Sequence, residues 1–148
     1  LGGETCLTKN VKELFNKRFK VKNIIQTDSK TAELTKYMNN AFFATKVSIM
    51  NEFKILCDKI GANWDDALWG FAADGRIGDS HLNVPGHDGK LGYGGTCFPK
   101  DVNALLSFSK KYNIELNTIA GGWNTNLKVR SEKDWEKKVG RSVSSRKK

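Results

Sequence analysis

The run Leu91-Gly92-Tyr93-Gly94-Gly95-Thr96-Cys97-Phe98-Pro99-Lys100-Asp101 holds the densest set of residues able to do chemistry in this chain. Its glycines allow positive φ or a close approach of backbone to a ligand, just before a cysteine. Pro99 suits the first turn of a helix, so Cys97 is expected just ahead of a helix N-terminus, where unpaired N–H groups and the helix dipole favour an anion. Lys100 adds a cation in that first turn. Such surroundings lower a thiol pKa from about 8.5 and make the sulfur nucleophilic. A buried structural cysteine after a tight turn fits the same residues equally well.

Cys57 falls on an apolar helical stripe and is expected in the core, and Cys6 lies in a polar N-terminal stretch. The three cysteines show no C-x-x-C pairing, and their odd number fits a reduced compartment. No metal site is expected, because His81 and His87 share one loop with only Cys97 nearby. Lys36 and Asn40, four apart, share one helix face and could hold an oxyanion and a carbonyl; a solvated surface pair has the same spacing. Asp74-Gly75-Arg76-Ile77-Gly78 places an arginine between glycines, as a phosphate or hydroxyl contact or as a turn.

The elements that would position these groups are mostly helical. Val11, Leu14, Phe15 and Phe19 predict a helix over 10–19, and Val21, Ile24 and Ile25 a short strand ending near Asp28. From 31 to 61 the set Leu34, Tyr37, Met38, Ala41, Phe42, Thr45, Ile49, Phe53, Leu56, Cys57 and Ile60 steps by three and four, predicting one long helix closed by Gly61. Asn63 can cap a second helix carrying Trp64, Ala67, Leu68 and Phe71. A Gly-rich loop from about 75 to 98 leads to a third helix with Val102, Leu105 and Leu106, and Asn117 would cap a fourth. The fold class expected is mainly α, a long central helix with a short helical bundle, preceded by a small α/β remnant.

At 148 residues the chain can form one domain with a core. No apolar run is long enough to cross a membrane, and no N-terminal segment reads as a secretion signal, so a soluble cytoplasmic protein is expected. The formal charge of +9 raises nucleic acid as a partner, but residues 128–148 hold nine Lys or Arg against three Asp or Glu, leaving the rest only mildly basic. Nucleic acid is therefore not expected as a partner, and the Ser-rich basic ending reads as a solvated tail. The divisions expected are 1–28, 29–130 and a disordered tail over 131–148.

Three of these motifs together resemble the UDP-glucose/GDP-mannose dehydrogenase family. Gly94-Gly95-Thr96-Cys97-Phe98-Pro99-Lys100-Asp101 is similar to its cysteine signature, Ala32-Glu33-Leu34-Thr35-Lys36 with Asn40-Ala41-Phe42 to its central helix, and Asp74-Gly75-Arg76-Ile77-Gly78 to its arginine loop. The resemblance covers about 27–130 and implies that 1–28 is the end of an NAD-binding domain and 29–130 a central substrate and dimerisation domain. It implies oxidation of a sugar nucleotide's primary alcohol to a carboxylate by two hydride transfers to NAD. UDP-glucose, giving UDP-glucuronate, is the substrate favoured by overall likeness. Cys97 would form a thiohemiacetal and then a thioester, Lys36 and Asn40 would stabilise the oxyanion and place water, and Asp101 would assist proton transfer. Lys100 would lie on the cofactor side, while Arg76, His81, Asn83 and Gly94 would meet the substrate. Arg76 would reach into a neighbouring subunit, implying a homodimer through the long helix. The sequence contains no G-x-G-x-x-G after a strand, so the dinucleotide fingerprint is missing and the chain is expected to be inactive alone. From a different class, a non-catalytic helical dimerisation or interaction module fits the same helices.

Overall fold

The computed structural model describes residues 1–137 and divides into two compact units, Leu1–Asn39 and the chain from Asn40 onward. Five α-helices order the described residues: α1 (Thr5–Arg18), α2 (Ser29–Ile60), α3 (Trp64–Ala72), α4 (Cys97–Lys110) and α5 (Asn117–Val129). A 3-10 turn, Asp134–Lys137, follows. The mainly helical class expected from the periodicity is the one observed.

In the first unit α1 begins earlier than its apolar spacing suggests. Glu4 is extended, and the Thr8 hydroxyl donates back to Glu4 O at 3.1 Å, so the polar first turn is helical as well. Phe19 returns to extended backbone and ends the helix. The strand expected over 21–27 is not formed; a single parallel bridge joins Gly2 and Thr27. Its hydrogen bonds are Gly3 N to Thr27 O and Thr27 N to Leu1 O, each 3.0 Å. A strand exists by pairing, and among the described residues only 1–3 lie alongside this segment, so Val21 and Ile25 stay exposed. Gly2 is required where it stands, because a Cβ there would overlap the Ala32 side chain in the first turn of α2.

Asp28 starts α2 by accepting from Thr31 N at 3.1 Å and from the Thr31 hydroxyl at 2.6 Å. These bonds hold its carboxyl below the usual range. The helix runs for 32 residues, about 48 Å at ~1.5 Å per residue. Gly61, with φ of 70°, ends it, and Ala62 N donates to Cys57 O at 3.0 Å in a left-handed C-cap. Asn63 then caps α3 through Oδ1, which accepts from Asp65 N and Asp66 N.

The second unit has two apolar clusters. Ala44, Tyr93 and Val102 form one, with Val47, Phe98, Leu106, Ile119 and Trp123 around them. Met50, Leu82 and Val84 form the other, against Trp64, Leu68, Ala72 and Ile77. The α2 face that meets these clusters is not the stripe read from sequence. Ala41 and Cys57 are buried as expected, but Phe42, Ile49, Phe53, Leu56 and Ile60 are exposed, whereas Ala44, Ser48 and Asn51 are buried. Small and amide side chains fit there because α5 and the loop bring backbone close: Ser48 Oγ donates to Gly122 O at 2.7 Å, and a Cβ on Gly122 would touch Thr45 Cα at 3.4 Å. Helical periodicity finds apolar stripes but not which stripe a chain covers.

The expected tail does not start at 131. Residues 134–137 form the 3-10 turn and Trp135 is buried, its ring 5.3 Å from that of Trp123. Residues 138–148 of the expected tail lie outside the described ones. Asn63→Ala removes two capping bonds from α3 and is expected to lower stability by about 1 kcal/mol, read as a lower urea midpoint with unchanged slope.

Candidate functional site

Between α3 and α4 lies a long irregular loop, whose backbone polar groups need partners from the helices around it. Lys46 on α2 donates from Nζ to Gly78 O at 2.6 Å and to Ser80 O at 2.8 Å. This sets up His81 in a left-handed conformation, with its imidazole stacked on Phe43 at 4.5 Å between centroids and near Phe98 at 5.5 Å. Burial, then the nearby Lys46 and His87, push the His81 pKa below its ordinary value, so the ring is neutral at physiological pH. Leu82 and Val84 enter the second cluster and anchor the middle of the loop.

The glycine run is fixed by three polar side chains. Asn51 Oδ1 accepts from Gly92 N at 3.0 Å while its Nδ2 donates to Val47 O. Asn126 on α5 accepts from Tyr93 N at 2.7 Å and donates to Tyr93 O at 3.0 Å, spending both ends of its amide on one residue. Asp134 accepts from Gly95 N at 2.8 Å. Tyr93 packs its ring into the first cluster, and burial pushes its phenol pKa well up, so it stays neutral. Arg130, 4% exposed, donates to Asp88 at 2.8 Å, Asp134 at 3.3 Å and Leu91 O at 3.4 Å. Its hydrogen bond holds the Asp88 carboxyl below the usual range.

Cys97 is exposed and is itself the first residue of α4, one step further into the helix than its place before Pro99 suggested. It lines a cavity of about 560 Å³ together with His81, Asn83, Gly94, His87 and Asp134. Four of the expected site residues therefore share one cavity: Cys97, His81, Asn83 and Gly94. One turn into α4, Asp101 is 1% exposed; it accepts from Asn40 Nδ2 and from Lys100 Nζ, which brings three more expected residues together. Lys36 belongs to the first unit, with its ammonium 5.0 Å from the Tyr37 ring centre. Arg76 is fully in solvent and forked onto Asp74, which keeps the Asp74 carboxyl low. Among the described residues no group of three metal-ligating side chains occurs.

Sequence reading missed Asn51, Asn126, Arg130 and Asp134. Asn51 and Asn126 each sit among apolar neighbours at helical spacing, where an amide with no backbone to pair would be costly. Trp135, in a stretch read as a solvated tail, was the signal that the ordered chain continues past Arg130.

With that geometry in hand, comparison with known proteins gives a consistent answer. The model of the UDP-glucose/GDP-mannose dehydrogenase family, central domain, matches residues 30–128. The chain belongs to this family. It is 45% identical over 86 residues to the UDP-glucose 6-dehydrogenase YwqF of Bacillus subtilis (strain 168), covering 58% of this chain and 18% of that protein. To a UDP-glucose 6-dehydrogenase of Rhizobium meliloti (strain 1021) it is 42% identical over 96 residues, 65% of this chain and 21% of the relative. A solved UDP-glucose dehydrogenase from the hyperthermophilic archaeon Pyrobaculum islandicum superposes with a TM-score of 0.74 at 26% identity, covering 85% of this chain and 28% of the other. The chain thus spans about a fifth of the length of the curated relatives it matches.

The Arg130 pair makes stability pH-dependent with a defined sign. Because the folded pKa of Asp88 lies below its ordinary 3.8, its ionised form stabilises the fold at every pH above 3.8, and this contribution is lost as pH falls from 3.8 through the lower folded value. Asp88→Asn should flatten the acid limb of a stability profile below about pH 4, followed by the fluorescence of buried Trp135.

Proposed function

We propose that this family member acts in the oxidation of UDP-glucose to UDP-glucuronate, with Cys97 as nucleophile. The observation that carries the reading is an exposed cysteine in the first turn of α4 that lines a cavity of about 560 Å³, one turn from a buried Asp101 bonded by Asn40 and Lys100. In this reading the Cys97 thiolate adds to the carbon of a sugar aldehyde, the S–C bond forming as the carbonyl π pair moves to oxygen. Protonation of that oxygen gives a thiohemiacetal. Once the adduct has been oxidised to a thioester, water adds to its carbonyl, the C–S bond breaks and the thiolate leaves with the acid released.

Asn40 is the group for the developing oxyanion and for water, and the resemblance assigns Lys36 the same role. Asp101, held between an amide and an ammonium, is poised for proton movement near the nucleophile. The neutral His81 with Asn83 and Gly94 would face the sugar nucleotide, and Arg76 that of a neighbouring subunit.

The hydride acceptor in such a reaction is NAD. The described residues do not fit it: a single parallel bridge stands where a strand, a glycine turn and a helix N-terminus would have to cradle the pyrophosphate. Lys100, assigned to the cofactor side, spends its ammonium on Asp101. The residues described here therefore carry the sulfur chemistry and leave the hydride acceptor to an NAD-binding domain held elsewhere. In this reading the stretch is inactive by itself and its site is cytoplasmic. Among the described residues no helix is long and apolar enough to cross a membrane.

A homodimer through α2 belongs to the same proposal. Phe42, Ile49, Phe53, Leu56 and Ile60 recur at three, four and seven on its uncovered side, the pattern of a helix seam rather than of a solvated face. It also supports the alternative of a non-catalytic dimerisation module.

One experiment separates the readings and a second tests the seam that both share. With residues 30–128 exchanged into the Bacillus subtilis relative, the chimaera should form NADH from UDP-glucose, and Cys97→Ser should cut turnover by at least about 10³-fold. A chimaera that assembles without turnover would favour the dimerisation module, and a Cys97→Ser chimaera that kept most activity would end the nucleophile reading. In sedimentation velocity the full chain should run as a dimer and Phe53→Glu as a monomer; a monomeric wild-type chain rejects the seam.

A further inference from the structure

We infer that Asn126 and Asp134 are positioning residues for the nucleophile, holding the backbone of Tyr93 and Gly95 so that Cys97 begins α4 at the cavity wall. This rests on Cys97 being the nucleophile, and extends it to residues beyond the cysteine signature.

The contacts are to backbone and lie within four residues of the sulfur. Asn126 is 0% exposed and engages Tyr93 through both its N–H and its C=O, as a neighbouring strand would. Asp134 takes Gly95 N, the last amide before Thr96 and Cys97. Arg130 braces Asp134 on one side and Asp88 on the other, and one turn of α5 separates it from Asn126. Among the described residues Asn126 is the partner of both Tyr93 N and Tyr93 O, so beyond Gly92, which Asn51 of α2 holds, the glycine run takes its path from α5 and the turn that follows.

The same side chains account for two of the glycines. A Cβ on Gly92 would overlap Asn126 Oδ1, and its φ of 66° is left-handed. A Cβ on Gly94 would overlap both Asp134 and Arg130. Gly94 is therefore small because protein occupies its Cβ side. Gly95 differs: open space lies where its Cβ would be, and it serves the turn through its φ of 75°. A purely structural core contact would not be aimed at the backbone of Tyr93 and Gly95 leading to one reactive side chain, nor would its acceptor line the cavity, as Asp134 does.

The test uses the full chain with Asn126→Ala, Asp134→Ala and Asp134→Asn. Two readouts are taken: iodoacetamide labelling of Cys97 relative to exposed Cys6, with buried Cys57 reporting the fold, and amide exchange at Tyr93 and Gly95. Asp134→Ala should speed Gly95 exchange about fivefold, the effect of one lost hydrogen bond, and lower the Cys97-to-Cys6 labelling ratio by a similar factor. Asp134→Asn, which keeps an acceptor for Gly95 N, should restore most of both while Cys57 stays protected. Asn126→Ala should do the same at Tyr93; if it exposes Cys57, the Asp134 pair decides alone. Unchanged exchange and labelling in Asp134→Ala, or an Asp134→Asn chain as impaired as Asp134→Ala, overturns the inference. A wild-type Cys97 no faster than Cys6 counts against the nucleophile, and amide exchange then still decides whether the clamp exists.

Discussion

Buried backbone in an irregular loop must find hydrogen-bond partners, and in this chain one amide, Asn126, closes both ends of Tyr93. Around that pairing the second unit is organised. Tyr93 can bury its ring beside Ala44 and Val102 only because its own N–H and C=O are satisfied, and with the ring in place Phe98 and Trp123 pack against it. Gly92 is held from the opposite side by Asn51 of α2, so the loop is stitched between two helices that otherwise meet through small residues. The cysteine follows from this geometry: it starts α4 where the stitched segment ends.

Charge follows the same economy. Arg130 is almost wholly buried, yet it is surrounded by the partly exposed carboxylates of Asp88, Glu132 and Asp134, so its charge is matched. Nε lacks a hydrogen-bonded acceptor and has only the longer ion-pair contact with Glu132 at 3.6 Å. The cations that enter this site, Lys46, Lys100 and Arg130, are each bonded to a carboxylate or a backbone carbonyl. Asp101 repeats the pattern on a smaller scale, a buried carboxylate made tolerable by one amide and one ammonium.

The long helix presents two unlike faces. Its covered face is small and polar, Ala44, Ser48 and Asn51, because backbone from α5 and the loop comes close enough to bond it. Its bulky apolar residues, Phe42, Ile49, Phe53, Leu56 and Ile60, lie outside. Hydrophobicity usually marks the inside of a helix, but here the tight approach of neighbouring backbone excludes large side chains from the core face and leaves them on the uncovered one.

What the sequence by itself determined was local. The run to Gly61, the Asn63 cap, the helix after the glycine loop and the family motifs around Cys97 are readable because helical spacing, capping chemistry and short motifs act over a few residues. Only the tertiary structure decided which stripe of α2 is covered, that 21–27 makes one bridge in place of a strand, and that Trp135 is buried. It also decided that Asn51, Asn126 and Asp134 hold the cysteine loop. Each of those depends on partners distant in sequence, 41, 33 and 39 residues away in the loop's own hydrogen bonds, and a residue's type does not reveal which backbone group will arrive beside it.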